Sequence, residues 1–290
     1  YVKKVILKIS TTIIGIIFAI LAYFSFSLLD AIQKTAVIYN SVFQILFLKY
    51  FFTLFLSTAE SIRKKNIYFY QTQNIKLQII RSFLSIIESG CFVLSFRYLT
   101  LADAHSIGSL TPVIVVGLSA IFLREKVSAK TWIAIFFGFL GVLIIMRPGL
   151  TIFDSKSLIP LVAAFFLSLY QILTRKASEY DPSETSLFYT SIVGIISMSF
   201  LVPFFWQPMQ SFSYLLFVGI GIFFSFGIYF QIIALSYSKA SIVQPFHYTL
   251  ILWAIILGYL IYDDIPDIFT ITGAIIITTS GIYVLRSSKN

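Results

Sequence analysis

Apolar runs of about nineteen residues, each closed by charged, polar or Pro punctuation, recur along this chain, and that recurrence leaves few folds open. They fall at approximately 11–33, 38–59, 77–98, 102–123, 131–147, 157–176, 184–206, 212–236, 240–262 and 268–286. A bilayer core of about 30 Å takes roughly 20 helical residues, and in hydrocarbon a helix satisfies its own backbone. With 58% hydrophobic and 11% charged residues, against about 45–50% and about 25% in soluble domains, little chain remains for a water-soluble domain. The expected fold class is an all-α integral membrane protein with ten transmembrane helices.

The net charge of +9 does not point to nucleic acid, because the basic residues stand singly between apolar runs rather than along one stripe. Membrane topology explains their placement. With the N-terminus in the cytoplasm, fifteen Lys and Arg fall in cytoplasmic segments, among them Lys3, Arg63, Lys126 and Lys239. Only Lys34, Arg97, Arg147 and Lys156 fall outside, a positive-inside bias that places both termini in the cytoplasm. The two remaining, Lys49 and Arg81, lie within apolar runs. The first run follows Lys3, Lys4 and Lys8 but has no small-residue cleavage site before Asp30, so it is read as a retained helix, and the missing initiator Met as trimming. The lone Cys91 excludes an intrachain disulfide and a thiolate metal cluster.

The chain also resembles itself. Ala102 precedes Ala240 by the same interval that separates Glu125 from Asp263. A second, nearly equal interval carries Asp30, Lys34 and Phe47 onto Gln171, Arg175 and Phe188. Two homologous halves follow, 1–150 with helices 1–5 and 151–290 with helices 6–10. Five spans per half is an odd number, so the halves are expected as inverted repeats with a site between them near the midplane.

Several segments resemble the drug/metabolite transporter superfamily, specifically chains with two EamA-type domains. They are Asp30 with Lys34, the run opening at Arg81, LADAHSIGSLTPV and LREKVSAKTW around the fourth span, PFFWQP at 203–208 and QPFHYTLILWAIILGYLIYDDIPD at 244–267. The last two are similar to the bacterial branch that includes S-adenosylmethionine uptake carriers. The resemblance implies a central cavity lined chiefly by spans 1, 3, 4, 6, 8 and 9, in a bacterial inner membrane. The sequence departs from the usual pattern at His247 and at Glu88.

Ionisable groups at membrane depth cost roughly 2.5–3.5 kcal/mol each on insertion scales, so they mark the bundle interior. Glu88 stands seven residues after Arg81, two turns on and on the same face. It either binds a cationic group or a coupling proton, or serves as a structural partner for Arg81. Pro245 leaves a carbonyl without its helical partner, which puts Gln244, His247, Tyr248 and Trp253 on one expected cavity wall. The alternatives are interfacial packing for Tyr248 and Trp253, and a backbone partner for His247. His105 is read as gate or packing, Asp103 as a helix cap, and Pro112 as a kink in the fourth span. Asp30 with Lys34, four apart on one face, is read as an ion pair, structural or gating, with Gln171 and Arg175 in the matching places. Tyr170 and Gln171 on the sixth span, with Tyr229 and Gln231 on the eighth, offer hydrogen bonds and aromatic faces to a ligand.

The reading that follows is a secondary transporter for a small polar or amine-bearing metabolite, an amino acid or S-adenosylmethionine among them, working by alternating access. It needs no cofactor and no metal. The partners expected are the metabolite, the lipid bilayer and a coupling proton or exchanged solute, with a monomer or homodimer as the assembly. Glycines 138, 141, 273 and 281 suit close helix contact, within one bundle or between subunits. A membrane-embedded enzyme lacks its usual signatures, since Asp263, Asp264 and Asp267 read as a solvated turn broken by Pro266. A non-transporting scaffold gives no reason for Glu88 and His105 at membrane depth.

Overall fold

A computed structural model describes residues 2–99, 101–146, 155–262 and 267–287, and among these every regular element is helical. In chain order the helices are α1 (Val2–Tyr39), α2 (Val42–Arg63), α3 (Ile75–Tyr98), α4 (Leu101–Gly108), α5 (Thr111–Phe122), α6 (Ala129–Met146), α7 (Leu158–Ala177), α8 (Ser183–Phe205), α9 (Ser211–Tyr237), α10 (Ala240–Val243), α11 (Thr249–Tyr262) and α12 (Ile268–Ser287). Seven segments are long and apolar enough to cross a membrane, and 111–122, 129–145 and 268–283 are apolar but shorter. Many large apolar side chains face outward, such as Ile121 at 72% and Phe204 at 82% exposure. Buried positions include Gln44, Gln78, Arg81, Ser82, Gln171 and Thr190, each at 0%. That distribution suits a bundle whose surroundings are lipid.

Two of the expected spans are interrupted. The fourth breaks into α4 and α5 at a turn just before Pro112, which sits in the first turn of α5 where its missing N–H removes no helical bond. The ninth breaks into α10 and α11 around a 3₁₀ segment, Gln244–Tyr248, that contains Pro245. Both interruptions occur at corresponding places in the two halves.

The principal packing runs across the middle of the chain rather than within either half. The strongest pairings are α1 against α9, α2 against α8, α3 against α7, and α6 against α12. Exchanging the halves maps this set onto itself: α1 with α9 becomes α7 with α3, while the α2–α8 and α6–α12 pairs map onto themselves. The core is correspondingly shared. Its largest cluster joins Leu46 and Tyr50 of α2, Val93 of α3, Leu187 of α8 and Ile220 of α9.

Close approach sets these pairs. A Cβ at Gly194 on α8 would lie 2.4 Å from the Tyr50 ring. A Cβ at Gly141 would meet the Gly273 carbonyl oxygen at 2.9 Å, and one at Gly273 would meet the Gly141 oxygen at 2.6 Å, so α6 and α12 touch backbone to backbone. These two glycines are therefore used inside one chain. Arg147, Asp263, Asp264 and Pro266 lie outside the described residues, and the side chains of Lys3, Lys4, Lys8 and Asp103 are likewise outside the description.

Because a carbonyl oxygen cannot move aside as a flexible side chain does, Gly273→Ala is expected to lower stability by about 1–3 kcal/mol in a detergent thermal-unfolding measurement. Gly117→Ala, with nothing within 4 Å of its added methyl, is the control and should lose nothing. Equal melting of the two variants would contradict the α6–α12 contact.

Candidate functional site

An interior cavity brings together Asp30, Lys49, Glu88, His105 and His247. Its wall is made by Tyr23, Asp30 and Gln33 of α1, Lys49 of α2, Ser85, Glu88 and Ser89 of α3, and Tyr170 of α7. Phe224, Ile228 and Gln231 of α9 continue it. The remaining wall comes from the two interrupted segments, with His105, Gly108 and Ser109 from the first and His247, Leu250 and Ile251 from the second. About 90 Å³ is open to the centre of a water molecule there. One water needs about 10–15 Å³ on that measure, so several waters or a small polar headgroup fit.

Helical spacing explains who faces inward. Ser85, Glu88, Ser89 and Phe92 follow an i, i+3, i+4, i+7 pattern on α3, and Phe224, Ile228 and Gln231 do the same on α9. Tyr229 is about 200° from Gln231 around the helix and packs into the apolar core instead.

The charges inside the cavity are sparsely satisfied from within. Asp30 Oδ2 lies 3.7 Å from His105 Nε2, and Ser89 donates to Glu88 at 2.8 Å. Lys49 is 2% exposed, and its Nζ stands 4.2 Å from the Phe224 ring centroid and 5.8 Å from that of Tyr50. His247 stacks obliquely on Tyr23 at 4.8 Å, and its buried Nδ1 has no hydrogen-bond partner; Tyr23 Oη and Gln33 Nε2 are orphaned as well. Orphaned buried polar atoms around a void are what a ligand or ordered water completes. Among the described residues, no group of three or more His, Cys, Asp or Glu is arranged to hold a metal.

Arg81 has a different environment. Its Nε donates to Gln78 Oε1 at 2.7 Å, and its two terminal nitrogens donate to Tyr170, Thr174, Thr190 and the Ser186 carbonyl. Gln78 passes the contact on by donating to Asp181 at 2.7 Å, and Asp181 also accepts from Thr72 at 2.5 Å and from the Gln73 N–H at 3.0 Å. Glu184 takes Lys64 at 2.7 Å and Asn66 at 3.1 Å. The α2–α3 and α7–α8 connections are thus tied together at one end of the bundle. At the other end Gln44 and Gln207 exchange two hydrogen bonds, at 2.9 and 3.2 Å.

Several sequence expectations need correction. Asp30 and Lys34 form no ion pair: Asp30 turns to His105 in the cavity while Lys34 donates to the Leu99 carbonyl at 3.4 Å. An i,i+4 spacing brings two Cβ atoms near one another but does not hold two long side chains against nearer partners. Arg81 does not pair with Glu88, because five neutral acceptors on α3, α7 and α8 surround its guanidinium. Gln171 and Gln244 hydrogen-bond to each other, off the cavity wall. Tyr248 donates to the Ile135 carbonyl at 3.3 Å, and Trp253 stands edge-on to Phe24 at 4.9 Å. Arg175, by contrast, does make an ion pair, its Nε 4.0 Å from Glu125 Oε1, and also donates to the carbonyls of Leu235 and Ser236 at 2.8 and 3.2 Å. Glu88, His105, Tyr170 and His247 do meet at the cavity. Lys49, a lone cation in an apolar run, also lines the cavity and was not among the residues expected there.

The contacts obey the internal spacing. Lys34 and Arg175, which hold corresponding places in the two halves, each bond carbonyls at the end of the third helix of their own half, α3 and α9 respectively. Asp30 meets His105 in the first half, and Gln171, which holds the place of Asp30 in the second, meets Gln244, a titratable pair in one half and an amide pair in the other.

Comparison with known proteins agrees with this geometry. The EamA-like transporter family matches residues 13–147 and again 156–286. The chain is 26% identical over 218 residues to a riboflavin transporter of Vibrio cholerae, covering 74% of this chain and 73% of that protein. It is 23% identical over 283 residues to an S-adenosylmethionine uptake transporter of Rickettsia conorii, covering 97% and 95%. It is also 23% identical over 283 residues to a pseudopaline exporter of Pseudomonas aeruginosa, covering 95% and 97%. A solved crystal structure 15% identical in sequence shares the fold, with a TM-score of 0.79 over 94% of this chain and 96% of that one.

Removing the Arg81 guanidinium leaves the buried Gln78 Oε1 without its donor and takes one donor each from Tyr170, Thr174, Thr190 and the Ser186 carbonyl. Arg81→Met is expected to lower thermal stability by on the order of 3 kcal/mol, and Arg81→Lys by less, since an ammonium keeps the charge but not the fork. Wild-type melting of Arg81→Met would contradict the assignment.

Proposed function

Because the chain belongs to the EamA-like transporter family, we propose that it is a secondary carrier moving a small polar or amine-bearing metabolite by alternating access. The observation that carries the reading is the cavity between the halves, walled by both interrupted segments and holding Asp30, Glu88 and Lys49. Interrupted helices in corresponding places are a pointer to a transporter's binding site, since broken backbone at membrane depth is tolerated where it lines a cavity.

In this reading the chain has ten spans arranged as two inverted five-helix repeats, with both termini in the cytoplasm and the bacterial inner membrane as its location. The cross-half packing and the matched Lys34 and Arg175 contacts support the repeat. Glu88, one turn from Ser85 and beside Ser89, receives the cationic group of the substrate. His105, His247 and Tyr170 supply hydrogen bonds around it. The Arg81 network and the Gln44–Gln207 exchange close the two ends, and opening one while the other holds moves the site's exposure from side to side. Coupling is to a proton or an exchanged solute, and the carrier acts as a monomer or homodimer. The substrates named for relatives, riboflavin, S-adenosylmethionine and pseudopaline, support a small-metabolite cargo.

Counterflow in proteoliposomes tests this. A labelled amine-bearing metabolite chosen by ligand stabilisation should exchange through the wild type. Exchange should fall roughly ten- to a hundredfold in Glu88→Gln, the loss of one charged hydrogen bond. Turnover of the solute into product, or exchange unchanged by Glu88→Gln, would refute the reading.

A further inference from the structure

The Glu88 carboxylate is not the only charge the cavity offers a ligand, and the second has the opposite sign. Lys49 lies eight residues into α2, at 2% exposure, on the cavity wall contributed by a helix that no expected site residue occupies. Among the described residues, no carboxylate oxygen lies within 4.0 Å of its Nζ. Its neighbours there are the rings of Phe224 and Tyr50. A ring face attracts an ammonium but supplies no acceptor lone pair, so the three N–H donors of Lys49 remain to be met by whatever enters the cavity.

Phe224 and Tyr50 are themselves fixed, edge to face at 5.4 Å, and Tyr50 is pressed against Gly194. The ammonium is therefore held on a rigid aromatic shelf rather than on a mobile stem. Asp30 and Glu88 reach the same void from α1 and α3. An ammonium-only ligand answers the carboxylates and leaves Lys49 without an anion. A carboxylate-only ligand does the reverse. A ligand carrying both answers both, and its apolar body has Phe26, Phe92, Ile228, Leu250 and Ile251 to lie against.

The geometry points to Lys49 as the anion-binding residue of a zwitterion site, in which the ligand's carboxylate meets Lys49 and its ammonium meets Glu88 within one cavity. The ligand class is an α-amino acid or a larger metabolite with that headgroup. This rests on the carrier reading of the same cavity and narrows its cargo.

Three matched triads test it, built on the side chains of methionine, leucine and phenylalanine. Each contains the L-amino acid, its decarboxylated amine and its N-acetyl derivative, so that both charges, the cation alone and the anion alone are presented on one body. Thermal stabilisation of the purified full chain in nanodiscs is measured at millimolar ligand. At least one amino acid should bind the wild type about tenfold more tightly than its amine and its N-acetyl form, the worth of one retained charge contact. Lys49→Met should erase the preference for the amino acid over the amine, and Lys49→Arg should keep it. Glu88→Gln should erase the preference over the N-acetyl form instead. Ligand-free melting of each variant establishes that it is folded, and Lys49→Gln, which also removes the charge, supplies the test if Lys49→Met is not.

The assignment is overturned if the amine binds as tightly as the amino acid, if Lys49→Met or a folded charge-neutral substitute keeps the preference, or if no amino acid in any triad binds. Counterflow of an amine without zwitterion preference would remove Lys49 from the site and leave the carrier intact. Zwitterion binding without any counterflow would keep the site and remove the carrier.

Discussion

Lipid offers no partner to an ionic group, and the arrangement of this bundle follows from where its ionic groups find theirs. Arg81 is met from three helices by amide, hydroxyl and carbonyl oxygens, which fixes α3 against α7 and α8. Asp30, Lys49 and Glu88 have no comparable set, and they converge from α1, α2 and α3 on one void. Arg81 is enclosed by neutral acceptors, whereas the other three face the void. That contrast separates the scaffold from the site more clearly than burial does, since Lys49 and Arg81 are nearly equally hidden.

The second governing feature is that neither half packs as a unit. With α1 on α9 and α3 on α7, each half supplies the other's neighbours, and the matched bonds of Lys34 and Arg175 sit at the ends of those pairs. Each bond joins one pair to the other, so a shift of the α1–α9 pair relative to the α3–α7 pair acts on both contacts at once. The halves are not chemically equal, however: Asp30 with His105 holds titratable groups where Gln171 with Gln244 holds two amides. The amide pair shares one hydrogen bond away from the cavity wall, whereas the titratable pair faces the cavity.

Much of this was legible in the sequence. Apolar run length located the helices, and Pro112 and Pro245 marked where two of them break. That Glu88, His105 and His247 face the bundle interior was legible because an ionisable residue at membrane depth needs an interior partner. The misreadings came from treating helix geometry as contact: Asp30 and Lys34 share a face yet choose different partners, and Glu88 is not Arg81's. Tyr229 and Gln231 read alike from the sequence, although only the latter lies in phase with Phe224 and Ile228. Tyr248 and Trp253 were placed on a cavity wall because they follow Pro245, but the 3₁₀ segment turns Tyr248 toward α6. Such choices depend on which neighbouring helix arrives, and a linear pattern does not carry that information.

The central claim is that the two ends of the cavity open in alternation, and paired distance measurements address it directly. Spin labels replace Tyr39 and Tyr98 at one end, and Tyr180 and Tyr237 at the other, all exposed positions, in a Cys91→Ser background. With saturating substrate, the two distance distributions should shift in opposite senses, one pair separating as the other closes. Distances that stay fixed at both ends, or that widen together, would contradict the account.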